Sequence, residues 1–269
     1  MSLLQAIILG ILQGATEFIP ISSSGHLVLV PWLLGWEPSG LTFDTVLHLG
    51  TLLAVVIYFR RDWWALATAW LRGLVRRDWS DPTARLAWLL VLGTIPAGIA
   101  GLLLQDFFES LFASPGWVSF FLLVTAALLA TSEFLGRRFR DLDNLRWLDA
   151  LLIGLAQAAA IAPGISRSGA TIAAGLGRGL DRPAAARFSF LLSTPVIFAA
   201  GVMQLVELAG ESDPLVQGPA LAAGFVAAAL SGYVCIWGLL RYLQRGRLYP
   251  FAIYCAVAGT VMLIVALVR

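Results

Sequence analysis

The sequence predicts an all-α polytopic membrane protein with an inverted-topology repeat, each half one re-entrant helical hairpin plus three transmembrane helices. Three observations carry that prediction. The first is composition: of 269 residues, 59% are hydrophobic and 13% charged, whereas soluble domains carry about a quarter charged residues. The second is a series of six long apolar runs accompanied by two interrupted ones. The third is a short polar motif that recurs 144 residues downstream.

In chain order, the region 2–35 is apolar but broken in its middle by Ser, Gly and Pro. Irregular backbone at membrane depth survives only where protein or a watery cavity satisfies it, so 2–35 reads as a hairpin that enters and leaves on one side. The runs 41–59, 86–104 and 117–135 follow, each close to the roughly 20 residues that a helix needs to cross a bilayer. A second interrupted region, 150–180, then precedes the runs 186–208, 217–240 and 250–268. We treat 1–269 as a single integral membrane domain, with a first repeat at about 1–135 and a second at about 150–269.

The connecting segments orient these spans. Arg60, Arg61, Arg72, Arg76, Arg77 and Arg85 lie in 60–85; Arg137, Arg138, Arg140 and Arg146 in 136–149; Arg241, Arg245 and Arg247 in 241–247. Arginine-rich loops stay in the cytoplasm. Segments 105–116 (Asp106, Glu109) and 209–218 (Glu211, Asp213) have no basic residue and are expected outside. Alternation then holds only if 150–180 dips in from the cytoplasm, with Arg178, Arg182 and Arg187 after it, and 2–35 dips in from outside. Tryptophans at span ends, including Trp32, Trp36, Trp63, Trp64, Trp117 and Trp147, suit an aromatic belt.

Superposing the interrupted regions places Gly10 on Gly154, Gln13 on Gln157 and Ala15 on Ala159, and lays "ISSSG" (21–25) on "ISRSG" (165–169) without a gap. An odd number of spans follows each hairpin, so the second copy is inserted upside down. Inverted repeats bring broken helices together near the midplane, where sites form. The meeting point is expected to hold Glu17, Ser22, Ser23, Ser24, Gly25 and His26 from one loop. The other supplies Gly164, Ser166, Arg167, Ser168, Gly169 and Thr171.

Those residue types describe a phosphate cradle. Glycine permits close backbone approach, helix N-termini present free N–H groups to anions, and arginine offers a planar fork matching phosphate oxygens. A serine nucleophile needs a base beside it, and Glu17 and His26 flank the serines. Arg167 would stabilise charge developing on a transferred phosphoryl group. For Ser22 or Thr171 taken singly, close helix packing is the better reading. His48 reads as a hydrogen-bonded residue of a span, and Asp149 and Asp44 as helix-start groups. Glu17 and Arg167 are ionisable groups inside the membrane, which are rare and default to function.

The composition also excludes much. All 18 basic residues are arginine, and the net charge of +2 suggests no nucleic-acid partner. Cys235 and Cys255 stand singly in apolar runs and point to neither a disulfide nor a metal site. "MSLLQAIILG" has no basic start, so no cleaved signal peptide is expected.

"QGATEFIPISSSGH" (13–26), "PGISRSGAT" (163–171), "ARFSFLLSTP" (186–195) and "FAIY" (251–254) together resemble the undecaprenyl-diphosphate phosphatase family of the bacitracin-resistance type, over essentially the whole chain. The resemblance implies a hydrolase of the bacterial inner membrane that converts undecaprenyl diphosphate to the monophosphate and orthophosphate. This recycles the lipid carrier for peptidoglycan, and so for cell wall biogenesis and cell shape, and confers bacitracin resistance, because that antibiotic sequesters the lipid diphosphate. It implies Glu17, Ser23, His26 and Arg167 as catalytic residues, with Ser23 the proposed nucleophile, activated by Glu17 or His26; the residues equally permit a direct attack by water with Glu17 as base. It also implies dependence on a divalent cation (Mg²⁺ or Ca²⁺) and a homodimer, for which the small-residue stretch "GFVAAALSG" (224–232) offers a face. Gln13 stands at the first position of the family's acidic motif, leaving Glu17 as the only carboxylate metal ligand on that helix, so the cation is expected on the diphosphate oxygens. The rival expectation is a transporter or flippase of a phosphorylated polyprenyl lipid, since inverted repeats also build transporters. On the orientation above, the site opens toward the periplasm.

Overall fold

The computed structural model describes residues 1–136, 139–208 and 218–269. Arg137, Arg138, Glu211 and Asp213, used above for orientation, lie outside the described residues. Among those described there are α-helices and one short 3₁₀ turn, with no β-strand. In order, the helices are α1 (Leu3–Phe18), α2 (Ser23–Leu34), α3 (Leu41–Tyr58), α4 (Arg60–Arg76), α5 (Pro82–Leu103), α6 (Gln105–Phe112), α7 (Pro115–Leu135), α8 (Trp147–Ala159), α9 (Arg167–Gly177), α10 (Arg182–Leu208), α11 (Gly218–Leu243) and α12 (Tyr249–Val268).

Six helices, α3, α5, α7, α10, α11 and α12, are long and apolar enough to cross a membrane, and they fall on the six predicted runs. The protein is a multi-pass membrane protein. Its outer surface agrees: Val91, Ile95 and Ile99 on α5 and Val257, Val261 and Ile264 on α12 are exposed, an apolar surface suited to lipid and costly in water. The interrupted regions are helix–loop–helix pairs, α1–α2 and α8–α9, whose members pack on each other. With 16, 12, 13 and 11 residues, at about 1.5 Å per residue, none is long enough for a hydrocarbon core of about 30 Å.

Two helices fall in segments we read as connections. In α4, Leu66, Ala69 and Gly73 are buried on one stripe while Arg60, Arg61, Arg72 and Arg76 are exposed. That is the helical period with a polar face, hidden from a search for spans by its arginines. The short α6 buries Phe108 and Leu111 in the same manner.

Close helix contacts set the frame. α11 lies against both α1 and α3, and α5 lies against both α8 and α10. A Cβ on Gly10 would sit 2.4 Å from the Gly224 carbonyl oxygen, and one on Gly154 would sit 2.3 Å from that of Gly93; both approaches are possible only for glycine. Gly224, Ala228 and Gly232 are buried against α1 and α3. The 224–232 face is thus consumed within the chain, which corrects our reading of it as a dimer face.

Buried carboxylates tie the arginine-rich segments together. Asp149, fully buried, accepts from Arg140 Nη2 and Arg178 Nε at 2.7 Å each, and from the Arg146 N–H at 3.0 Å. It begins α8, as expected, and also anchors two arginines. Glu133 pairs with Arg182 and accepts the Leu248 N–H, while Arg187 on α10 reaches Asp62 on α4.

Candidate active site

The two loops are built alike. Ser22 caps α2 by accepting the Gly25 N–H (3.2 Å), and Ser166 caps α9 by accepting the Gly169 N–H (3.0 Å). Each capping hydroxyl also meets the serine two residues on, Ser24 at 3.3 Å and Ser168 at 3.2 Å. Ser22 holds φ +74°, left-handed backbone in a non-glycine residue, and Gly164 holds +98°. Glycine adopts that conformation freely; at Ser22 it persists only where the surroundings enforce it. The second loop is pinned by Thr125 on α7, which donates to the Gly164 carbonyl (3.0 Å) and accepts the Ser166 N–H (2.9 Å). Around the first, the Cys255 thiol on α12 lies 3.8 Å from the Pro20 carbonyl oxygen.

The loops touch. A Cβ on Gly25 would lie 3.2 Å from Gly164 Cα, and the Ser168 hydroxyl donates to the Ile19 carbonyl at 3.4 Å. At this junction the Glu17 carboxylate, itself buried, collects both loops. Its Oε2 accepts the Ser23 hydroxyl at 2.5 Å and the Gln13 amide at 2.9 Å; its Oε1 accepts Arg167 Nη2 at 2.5 Å. Ser23 and Arg167 are the first residues of α2 and α9, so equivalent positions of the two hairpins converge on one carboxylate. The Ser23 hydroxyl already points its proton at a base, and Arg167 keeps Nη1 without a partner among the described residues. The Ser23 and Ser24 N–H groups, in the first turn of α2, have no intrahelical acceptor.

A cavity of about 1020 Å³ opens onto this junction, lined by Glu17, Ser22, Ser23, Ser24, Ser166 and Arg167 and continuing to Glu37, Ser39 and Glu109. The structure therefore brings together three of the four predicted catalytic residues, and Ser22, Ser24 and Ser166 with them. It places others elsewhere. Gly25, Gly164, Ser168, Gly169 and Thr171 do not line the cavity, because the Gly25 and Gly169 N–H groups are spent on the caps and the Thr171 hydroxyl is held by the Arg167 carbonyl (2.7 Å) and Ser189 (2.6 Å). His26 also turns away. Its Nδ1 is 2.7 Å from the Ser22 carbonyl oxygen and its Nε2 is 2.6 Å from the Tyr254 hydroxyl. A carbonyl only accepts, so Nδ1 carries the proton and Tyr254 donates to Nε2. The imidazole fixes the strained turn and makes no contact with Ser23 or Glu17.

The histidine that faces the site is His48, which the sequence reading dismissed. It lines the cavity with Nε2 3.7 Å from Glu17 Oε2, held by its Nδ1 donating to the Asp44 carbonyl at 2.7 Å. Asp44 lines the cavity too and accepts the Ser39 hydroxyl at 2.6 Å. One signal was available: His48 and Asp44 are four apart, one helical face. Gln157, matched to Gln13 in the repeat, also lines the cavity and is 2% exposed.

The donor set does not fit a cation held by the protein alone. Among the described residues no three His, Cys, Asp or Glu side chains gather to hold one, and Glu17 is already saturated by Ser23, Gln13 and Arg167. Gln13 presents its amide N–H to Glu17, leaving a single buried carbonyl oxygen.

Fold and site define a class, a multi-pass helical membrane protein with a carboxylate, a hydroxyl and a guanidinium joined at the base of a cavity. The chain belongs to the bacitracin resistance protein BacA family, which matches residues 6–261. It is similar to undecaprenyl-diphosphatase 2 of Stutzerimonas stutzeri (strain A1501), 47% identical over 267 residues and 98% of each chain. It is likewise similar to the undecaprenyl-diphosphatases of Geobacter sulfurreducens, 47% identical over 264 residues and 98% of each chain, and of Rubrobacter xylanophilus, 48% identical over 257 residues and 94% of each.

Proposed function

We propose that this chain hydrolyses undecaprenyl diphosphate to undecaprenyl phosphate and orthophosphate, recycling the lipid carrier of envelope polymers and conferring bacitracin resistance. One observation carries the reading at the level of chemistry. A single buried carboxylate accepts the Ser23 hydroxyl and the Arg167 guanidinium, 144 residues apart in sequence, at the base of a cavity. The full-length relatives named for this activity support it.

In the mechanism we propose, the lipid chain stays in the hydrocarbon and the terminal phosphate lies between Arg167 Nη1 and the free N–H groups of α2. Ser23 Oγ attacks phosphorus in line and its proton passes to Glu17. The bond from phosphorus to the bridging oxygen breaks, and the prenyl phosphate leaves with that electron pair. Water then opens the phosphoserine, releasing orthophosphate. His26 holds the first loop in shape. Since the described side chains do not make a cation site by themselves, a divalent cation, Mg²⁺ or Ca²⁺, would be carried by the substrate's own phosphate oxygens and would offset their charge.

The same reading extends to architecture. We take the chain as an inverted repeat with re-entrant hairpins 2–35 and 150–180. The support is that α1 on α11 and α5 on α8 are the same packing with the halves exchanged, down to Gly10 at Gly224 and Gly154 at Gly93. We place the protein in the bacterial inner membrane with the cavity toward the periplasm, since the cavity continues to Glu37 and Glu109 on the arginine-free side. A homodimer needs a face other than 224–232.

The test is orthophosphate release by purified protein in detergent, where no compartments exist. Release that depends on Glu17 and Arg167, with phosphoserine trapped at Ser23 on acid quenching, is expected. Binding of the lipid diphosphate without release would make the chain a carrier, and release undiminished by Ser23→Ala would give the attack to water.

A further inference from the structure

Gln157 is the least explained polar residue near the site. It sits on α8, 2% exposed, in the cavity wall, and neither Nε2 nor Oε1 has a partner among the described residues. Its counterpart in the first hairpin explains the vacancy. Gln13 donates to Glu17 four residues on, whereas the second hairpin has Ile161 four residues after Gln157. The repeat kept the amide and lost its acceptor. A buried donor and acceptor left unmade destabilise a fold, and in hydrocarbon surroundings more so. An isosteric leucine would relieve that cost, so a ligand that satisfies the amide is the economical explanation.

The surroundings say which ligand. Gln157 lines the same cavity as Ala97, Ala160 and Ile161, apolar residues suited to the first isoprene units, and as the polar Ser23 and Arg167. In a lipid diphosphate the phosphate that stays on the lipid lies between the transferred phosphate and the prenyl chain. We propose that Gln157 is a substrate-binding residue whose Nε2 donates to a non-bridging oxygen of that retained phosphate, a contact made to the lipid diphosphate before cleavage and to the lipid monophosphate after it. A neutral amide suits this task, because it binds the product phosphate without the attraction a second arginine would exert. The proposal rests on the phosphatase reading above.

The experiment uses the full chain in detergent, with a short-chain prenyl diphosphate as substrate. The matching prenyl monophosphate and prenyl methylenediphosphonate serve as inhibitors, with orthophosphate, which carries only the transferred group, as the control. For Gln157→Leu we expect KM and the two prenyl inhibition constants to rise, the diphosphonate's about tenfold or more, kcat to stay within about threefold, and the orthophosphate constant to hold. Without ligand, the Tm of the variant should equal or exceed that of the wild type. Gln157→Glu, which sets a carboxylate against an anion, should weaken the diphosphonate further. Unchanged KM and diphosphonate constant in both variants would overturn the proposal, as would equal weakening of orthophosphate and the prenyl inhibitors or a Tm drop in Gln157→Leu with kcat lost and KM intact. If the wild type releases no orthophosphate, the phosphatase reading fails on its own. Protection of Tm by the diphosphonate, lost or kept in Gln157→Leu, then decides whether the amide binds it.

Discussion

The two loops share a backbone plan and differ in chemistry. Each begins its second helix with a serine cap, places a second serine two residues on, and is held by a residue of a span from the other half of the chain, Cys255 for one and Thr125 for the other. At the first residue of those helices one loop has Ser23 and the other Arg167, and only the first hairpin has an acid, Glu17, where the second has Ile161. Both helix starts are ready for an anion; the differences at two matched positions, Glu17 against Ile161 and Ser23 against Arg167, make one the nucleophile side and the other the cation side. Gln13, a glutamine both hairpins keep, joins Ser23 and Arg167 at the carboxylate.

The largest effect should follow from breaking that junction. Glu17→Gln keeps the shape but removes the base, so kcat for orthophosphate release should fall about 10²–10⁴-fold. It also leaves Arg167 as a buried charge without its counter-ion, and removing one partner of such a pair costs about 3–5 kcal/mol. Thermal unfolding in detergent should therefore show a lower Tm together with the lost activity. Arg167→Lys should cost about 10²-fold, because a point-like ammonium cannot hold Glu17 and a phosphate with one planar fork. Near wild-type turnover in either variant would put the chemistry elsewhere.

How far this was readable from sequence depends on the kind of interaction. The spans were readable because α3, α5, α7, α10, α11 and α12 are continuous apolar runs. The meeting of Glu17, Ser23 and Arg167 was readable from the gapless match of "ISSSG" on "ISRSG", on the expectation that matched loops are brought together. Side-chain direction was not readable. Ser22, at φ +74°, begins α2, on which His26 points to Tyr254 on the last span, and nothing local encodes a partner 228 residues away. His48 is the hydrogen-bonded span residue expected, its Nδ1 donating to the Asp44 carbonyl, but an apolar helix hid that this polar face opens on the cavity. Helix α4 was missed because its arginines count against a span, although Leu66, Ala69 and Gly73 keep helical spacing.

A middle-sized effect tests whether the two halves are mechanically equivalent. Gly10→Ala and Gly154→Ala would each drive a methyl group into a carbonyl oxygen, at 2.4 and 2.3 Å, and backbone on both sides leaves no flexible side chain to yield. Overpacking of this kind costs about 1–3 kcal/mol. Both variants should lose Tm by similar amounts. Gly98→Ala, with nothing within 4 Å of its Cβ, should be neutral or slightly stabilising, since alanine is the better helix former. A large difference between Gly10→Ala and Gly154→Ala would mean that the halves do not carry load alike, and would weaken the inverted-repeat reading.

The smallest contrast lies in the two pins. Thr125 makes two conventional hydrogen bonds to the second loop, at 3.0 and 2.9 Å, whereas Cys255 offers the first loop one thiol contact at 3.8 Å. Thr125→Val keeps the shape and orphans a carbonyl and an N–H, for about 1–3 kcal/mol each. Cys255→Ala removes only a weak donor and a small buried volume, so its effect on Tm should be a fraction of that. The asymmetry has a reason. The first loop has a second tether, His26 between Ser22 and Tyr254, while Thr171, one turn into α9, is turned toward Ser189 and holds the helix instead of the loop. If Cys255→Ala proved as damaging as Thr125→Val, the first loop would depend on its span contact as heavily as the second, and the histidine would lose its role as the compensating tether.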